Sequence, residues 1–212
     1  ARTTGRILSG PEYLTVFEGR TGRALATVPF EPKRHPETDN PTPEQMQAAW
    51  GDMYGNRSDR MLAGVAWLDG QRPSIIMARG YYTRTNVAAY DFRDGKLTRR
   101  WLFDSTVPGN EAYGGQGNHQ LAVADVDGDG RDEIVYGAMA LDDDGTGLRN
   151  SRLGHGDAMH VSDLDPTRPG LEKFGVLENM RASGNRGAAM LDARTGEVLW
   201  STPAEEDTGR GL

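Results

Sequence analysis

Leu191-Asp192-Ala193-Arg194-Thr195-Gly196 sets an acidic residue four positions before a glycine, between apolar runs. The carboxylate can accept from the turn backbone and the glycine can take positive φ, so the stretch reads as a hairpin joining two strands. The pattern recurs at Phe17-Glu18 to Thr21-Gly22, Tyr90-Asp91 to Asp94-Gly95 and Leu141-Asp142 to Gly145. Asp91, Asp142 and Asp192 are spaced by 51 and 50 residues.

A second hairpin precedes three of these turns, over Val65 to Met77, Val123 to Tyr136 and Val161 to Phe174. Two hairpins per repeat make a four-stranded antiparallel sheet, and a period near fifty residues is the signature of propeller blades. The predicted fold is all-β: a β-propeller piece of about four blades filling residues 1–212, belonging to a larger ring. A β-sandwich is the alternative. Glu18 and Asp91 are 73 residues apart, and the excess falls in residues 29–60, read as an inserted loop with a short helix over residues 43–50. A Gly-x-Gly marker stands at Gly115-Gln116-Gly117 and Gly154-His155-Gly156, and again at Gly209-Arg210-Gly211, where a further repeat is expected.

Bulk properties fit this reading. The 212 residues include 28 glycines and no cysteine, and the formal charge is -7. The acidic surplus argues against nucleic acid as a partner, and the missing cysteines exclude disulfides and thiolate chemistry. No apolar run approaches a membrane span of roughly 20 residues. Hydrolase elbows, Walker loops and dinucleotide fingerprints are absent.

Asp125-Val126-Asp127-Gly128-Asp129-Gly130-Arg131-Asp132-Glu133 gathers carboxylates at alternating positions before the strand Ile134-Val135-Tyr136. Calcium takes six to eight hard oxygens, so Asp125, Asp127, Asp129 and Glu133, with the Arg131 carbonyl, form a candidate Ca2+ loop. Asp163, Asp165 and Glu172 repeat the element with fewer carboxylates. Asp69-Gly70 reads as an ordinary turn, and Asp142-Asp143-Asp144 as a hairpin.

His119 and His155 sit beside equivalent Gly-x-Gly markers, so blade geometry should bring them to one end of the ring. With Asp157 they are candidates for a second metal site, or for acid and base. The plainer reading is hydrogen bonding between repeats; His160 begins a strand and reads as structural. Two runs rich in Arg, Tyr and Asn supply Asn56, Arg57, Arg79, Tyr81, Tyr82 and Arg84 as candidate ligands for an acidic sugar, because Arg pairs with carboxylates and Tyr offers a flat face. Salt bridges to nearby Asp residues are the competing reading for each Arg.

Gly51-Asp52-x-Tyr54-Gly55-Asn56-Arg57-x-Asp59-Arg60, Met77-Ala78-Arg79-Gly80-Tyr81-Tyr82-Thr83-Arg84, Gly115-Gln116-Gly117-Asn118-His119 and Gly154-His155-Gly156-Asp157-Ala158 together resemble the bacterial rhamnogalacturonan lyases of the calcium-binding eight-bladed β-propeller family. The resemblance covers roughly residues 5–212. It implies secretion, bound calcium and β-elimination in the pectin backbone, an acidic plant cell-wall polysaccharide. It also implies a longer catalytic module: the rest of the propeller becomes a partner of this piece, which alone is expected to be inactive, and the catalytic base stays unassigned. The competing class is a non-catalytic calcium-binding propeller for carbohydrate binding or adhesion, whose repeats lack the Gly-Asn-His and Arg-Gly-Tyr-Tyr-Thr-Arg runs.

Overall fold

Strand by strand, the alternation of side chains dictates how the sheets stack. In the computed structural model, which describes residues 6–211, β1 (Tyr13–Phe17) and β2 (Ala24–Pro29) form an antiparallel hairpin. A connection holding helix α1 (Pro43–Trp50) leads to a sheet of β3 (Met61–Ala66), β4 (Ser74–Arg79), β5 (Asn86–Arg93) and β6 (Lys96–Asp104). A second sheet contains β7 (Ala122–Ala124), β8 (Glu133–Tyr136), β9 (Met139–Leu141) and β10 (Gly147–Asn150). The third contains β11 (Met159–Ser162), β12 (Glu172–Val176), β13 (Arg186–Asp192) and β14 (Val198–Pro203), with the one-turn helix α2 (Met180–Ser183) between β12 and β13. All three are antiparallel with strands in chain order. Thus three repeats, rather than about four, form four-stranded sheets among the described residues; the Glu18 copy is a two-stranded hairpin.

Central strands are apolar on both faces, and successive residues serve opposite neighbours. In β4, Ile75 and Met77 pack towards the β1–β2 hairpin, while Ile76 and Ala78 join Ile134, Tyr136, Met139 and Leu141 of the second sheet. In β8 the alternation continues: Ile134 and Tyr136 face back, and Val135 faces forward towards Met159 and Ala193 of the third sheet. Each fully buried aliphatic side chain of this kind stabilises by roughly 1.5–3 kcal/mol. The sheets therefore stack in chain order, with first strands β3, β7 and β11 adjacent to one another.

The turns follow the sequence reading in most copies. Asp192 Oδ1 accepts from the Arg194 and Thr195 amides at 3.1 and 2.8 Å, and Gly196 has φ 76°. Asp91 differs: β5 runs past it, Asp94-Gly95 makes the turn, and its carboxylate accepts from Ser74 Oγ at 2.6 Å. Asp69 behaves as an ordinary turn, accepting from the Gln71 and Arg72 amides, and Asp142 closes a hairpin through its backbone with Thr146 and Gly145.

Helix α1 lies in the inserted stretch over the span expected. Thr42 and Gln45 form a reciprocal capping box at its start. Trp50 is buried and donates to the Arg34 carbonyl at 2.6 Å, while its own carbonyl accepts from Thr83 Oγ1, so the stretch folds against the segment that follows β4. No helix among the described residues is long and apolar enough to cross a membrane.

Candidate active site

Segments following β4 and β12 meet those preceding β7 and β11 at one end of the stack. Asn118 and Gly156 form a parallel bridge between the second and third sheets, and Asn118 Oδ1 accepts from the Gly156 amide at 3.0 Å. The glycines of the marker permit this approach. A Cβ on Gly117 would lie 2.7 Å from Tyr81 Cβ, and one on Gly156 would lie 2.0 Å from the Val176 carbonyl oxygen, well inside contact distance.

The approach assembles His119, His155, Asp157 and Glu178, whose ligating atoms lie within 4.8 Å of one another. His119 Nε2 is 3.2 Å from Asp157 Oδ1; its Nδ1 is 3.0 Å from the Tyr81 hydroxyl, and the Tyr82 hydroxyl is 3.3 Å from Nε2. Tyr81 stacks on His155 with ring centroids 5.0 Å apart. Burial raises the Tyr81 phenol to about 12 and also raises Tyr82, so both hydroxyls stay protonated near neutrality. An open cleft of 580 Å³ beside the cluster is bordered by His119, Asp157 and Arg210.

His155 carries the decisive geometry. Its Nδ1 lies 2.5 Å from the Gly117 carbonyl oxygen, which can only accept, so the proton resides on Nδ1. Nε2 then presents a lone pair, 3.0 Å from Glu178 Oε2 and 3.9 Å from Asp157 Oδ1, and this buried nitrogen has no hydrogen-bond partner among the described residues. Desolvation lowers the imidazole to about 4, keeping it neutral. Burial raises the Glu178 carboxyl, with repulsion from Asp207 and Asp157 adding to it. Lone pairs facing carboxylates without a donor between them fit a divalent cation held by two nitrogens and two oxygens.

The acidic loop between β7 and β8 is a second such group, made by Asp125, Asp127 and Glu133. Backbone amides fold it: Gly128 and Gly130 donate to Asp125, and Val126 donates to Glu133 Oε2 at 2.7 Å. Glu133 Oε1 is buried without a hydrogen-bond partner among the described residues, and desolvation raises this carboxyl to about 7. An orphaned buried oxygen beside two other carboxylates suits a hard cation.

The description "Rhamnogalacturonan lyase family 11, C-terminal domain" matches residues 1–212. The chain belongs to this family. Rhamnogalacturonan exolyase YesX of Bacillus subtilis (strain 168) is 63% identical over 208 residues, covering 98% of this chain and 32% of YesX. Rhamnogalacturonan endolyase YesW of the same organism is 57% identical over 208 residues, with 98% and 32% covered. The crystal structure of exotype YesX superposes with a TM-score of 0.91 at 61% identity, over all of this chain and 33% of that one. Bacillus licheniformis rhamnogalacturonan lyase gives 0.91 at 60% identity, over all of this chain and 34% of that one. The family 11 chain thus spans about a third of the length of the curated relatives it matches.

Within this family 11 chain, several residues expected at the site lie elsewhere. Arg79 is fully buried and binds Glu12 through two hydrogen bonds of 2.7 and 2.8 Å, plus the Ser58 and Pro32 carbonyls. Arg84 is closed onto Asp104 by both ends of its fork and lies over Trp50. Neither is available for a ligand, because burial beside a carboxylate favours the internal pair. In the acidic loop, Asp129 stays outside the ligating group; its Oδ1 accepts from the Arg131 amide, and the Arg131 side chain reaches Asp143 at 3.0 Å. Asp163, Asp165 and Glu172 form no ligating group among the described residues. Glu172 Oε2 accepts the Leu164 and Asp165 amides, while Arg168 stands 3.6 Å from Oε1 with its own positive charge.

His119, His155 and Asp157 do come together, with Tyr81 and Tyr82 against them. Asn56 lies just outside and holds Arg60, and the charge of Arg57 reaches Tyr82. Sequence reasoning missed Glu178, which follows β12 with no motif around it. It also passed over Arg60, although Arg60 closes the quoted run that begins at Gly51.

Proposed function

We propose that the chain is part of the catalytic propeller of a secreted rhamnogalacturonan lyase, with the His119, His155, Asp157 and Glu178 cluster at its active site. The observation that carries this reading is the buried, partnerless Nε2 of His155 facing two carboxylates in a chain of this family. The propeller part is supported by the stack of four-stranded sheets with adjacent first strands. It is supported further by the outer face of the third sheet, which leaves Phe174, Met190 and Trp200 bordering an open apolar groove. Secretion follows from a wall polymer as substrate.

In β-elimination a base removes the C5 proton of galacturonate, a C4=C5 double bond forms, and the C4–O4 bond breaks so that the rhamnose-bearing oxygen leaves and is protonated. His119, His155, Asp157 and Glu178 would hold a divalent cation, which when bound would supply positive charge to offset the negative charge that builds up on the uronate. His155 is held by the Gly117 carbonyl in the tautomer that aims a lone pair inward. His119, half-exposed at the cleft and bonded to two tyrosine hydroxyls, borders the substrate side. The Asp125, Asp127 and Glu133 loop is assigned a structural calcium ion.

The test is formation of unsaturated uronate, followed by ultraviolet absorbance, when the intact protein carrying this chain meets rhamnogalacturonan. His155→Ala should depress turnover by at least about 100-fold at temperatures where the variant stays folded, far more than its loss of stability accounts for. Binding of the polymer without any unsaturated product would instead favour a non-catalytic propeller.

A further inference from the structure

We propose that Arg60 receives the carboxylate of a uronic acid at the mouth of this site and so sets its preference for an acidic over a neutral sugar. The inference rests on the functional reading above for the class of substrate, and on the geometry of Arg60 for the role.

Arg60 stands immediately before β3, at the end of the inserted stretch. Its guanidinium lies 5.7 Å from the Tyr82 ring centre, and that ring is 4.5 Å from the His155 ring and 5.9 Å from the His119 ring. Asn56 Oδ1 accepts from Nη2 at 2.5 Å and orients the fork. Among the described residues the buried Nε has no hydrogen-bond partner and Arg60 makes no ion pair, whereas Arg79 and Arg84 are both consumed by carboxylates.

Its charge is felt across the cluster. Arg60 opposes the upward shifts of Tyr81 and Tyr82 and adds to the downward shift of His155. Beside it is an open depression of 190 Å³ bordered by Tyr54, Asn56 and Asp59, and Asp59 is drawn towards Arg79 at 3.6 Å. An oriented guanidinium with unused donors matches the planar pair of oxygens on a carboxylate, while the adjacent tyrosine ring suits the C–H face of a sugar. A neutral hexose offers no such charge.

The experiment uses the intact protein at saturating calcium and two probes measured by calorimetry: the galacturonosyl-rhamnose disaccharide, which has no leaving group on O4 and is not cleaved, and its carboxyl-reduced galactosyl counterpart. The wild type should prefer the acidic disaccharide by about tenfold or more. Arg60→Gln should reduce that preference to within about threefold with calcium affinity retained, and Arg60→Lys should restore part of it, a lysine keeping charge but not the fork. A wild type without preference, or Arg60→Gln retaining the full preference, overturns the proposal. Should Arg60→Gln not fold, Arg60→Lys decides: full wild-type preference overturns the fork argument, and a partial loss supports it. Preference in the wild type lost in the variant, with no unsaturated product from the polymer, would sink the lyase reading and leave the role of Arg60 standing.

Discussion

Arg79 is locked onto Glu12 by two hydrogen bonds of 2.7 and 2.8 Å from a side chain that is 0% exposed. The same guanidinium reaches the Ser58 and Pro32 carbonyls, so one residue of β4 joins the segment before β1, the inserted stretch and the first sheet. Arg34 shares Glu12 at 2.6 Å, and these arginines hold the carboxyl below its ordinary range against the opposing effect of burial.

Arg79→Ala is therefore expected to act on stability, because it strips Glu12 of all its donors but Arg34 and removes the guanidinium from the Ser58 and Pro32 carbonyls. Breaking a buried pair in this way costs about 3–5 kcal/mol. Denaturant or thermal unfolding checks the size of the loss. Binding of an acidic oligosaccharide at temperatures where the variant stays folded should remain near that of the parent protein; a selective loss of affinity at unchanged stability would show that Arg79 contacts ligand after all.

The calcium assigned to the acidic loop predicts a pH dependence. Glu133 has its carboxyl raised from 4.5 to about 7 in the metal-free fold, chiefly by desolvation. A raised pKa contributes stability that is complete below about pH 4.5 and is lost as pH rises through about 7, so the calcium-free protein should weaken across that window. Calcium at this loop would bind the ionised form, so its stabilising effect should grow over the same interval. Melting curves with calcium and with chelator between pH 5 and 8 measure this. Asp125→Ala should abolish the loop's share of the shift, and an unchanged calcium response in that variant would remove the site.

Lys173 supplies a dependence of the other sign. It is buried in β12 opposite Leu191, and desolvation, with repulsion from Arg149, lowers its ammonium from 10.5 to about 7. A depressed pKa contributes stability present above about pH 10.5 and lost as pH falls through 7. Lys173→Met keeps most of the volume without the charge, so it should raise the denaturation midpoint at pH 7 and below and flatten the pH slope. A variant less stable than the parent at pH 6 would mean that the ammonium has a partner worth more than its desolvation.

Much of the architecture was legible in the chain because it depends on local spacing. Turn chemistry at Asp192 and Gly196 located a hairpin, the fifty-residue period located the sheets, and a short helix was expected over residues 43–50, where α1 stands. The loop ligands Asp125, Asp127 and Glu133 are close in sequence, so alternation alone gathered them. The register of the Gly-x-Gly marker was enough to predict that His119 and His155 meet, since equivalent positions in stacked repeats share one end.

What the sequence by itself determined, then, was the repeating β-architecture and the residue types gathered at its loops, through periodicities of two and of about fifty residues that act locally. Only the tertiary structure decided which charges are spent and which are free. Whether an arginine is consumed depends on long-range neighbours: Arg79 meets Glu12 across 67 positions, and Arg84 meets Asp104 across 20. Glu178 joins His155 through the end of β12, and Arg60 keeps an unused donor because no carboxylate among the described residues pairs with it. Pairing is settled by three-dimensional proximity and burial, and neither is written in the spacing of the residues along the chain.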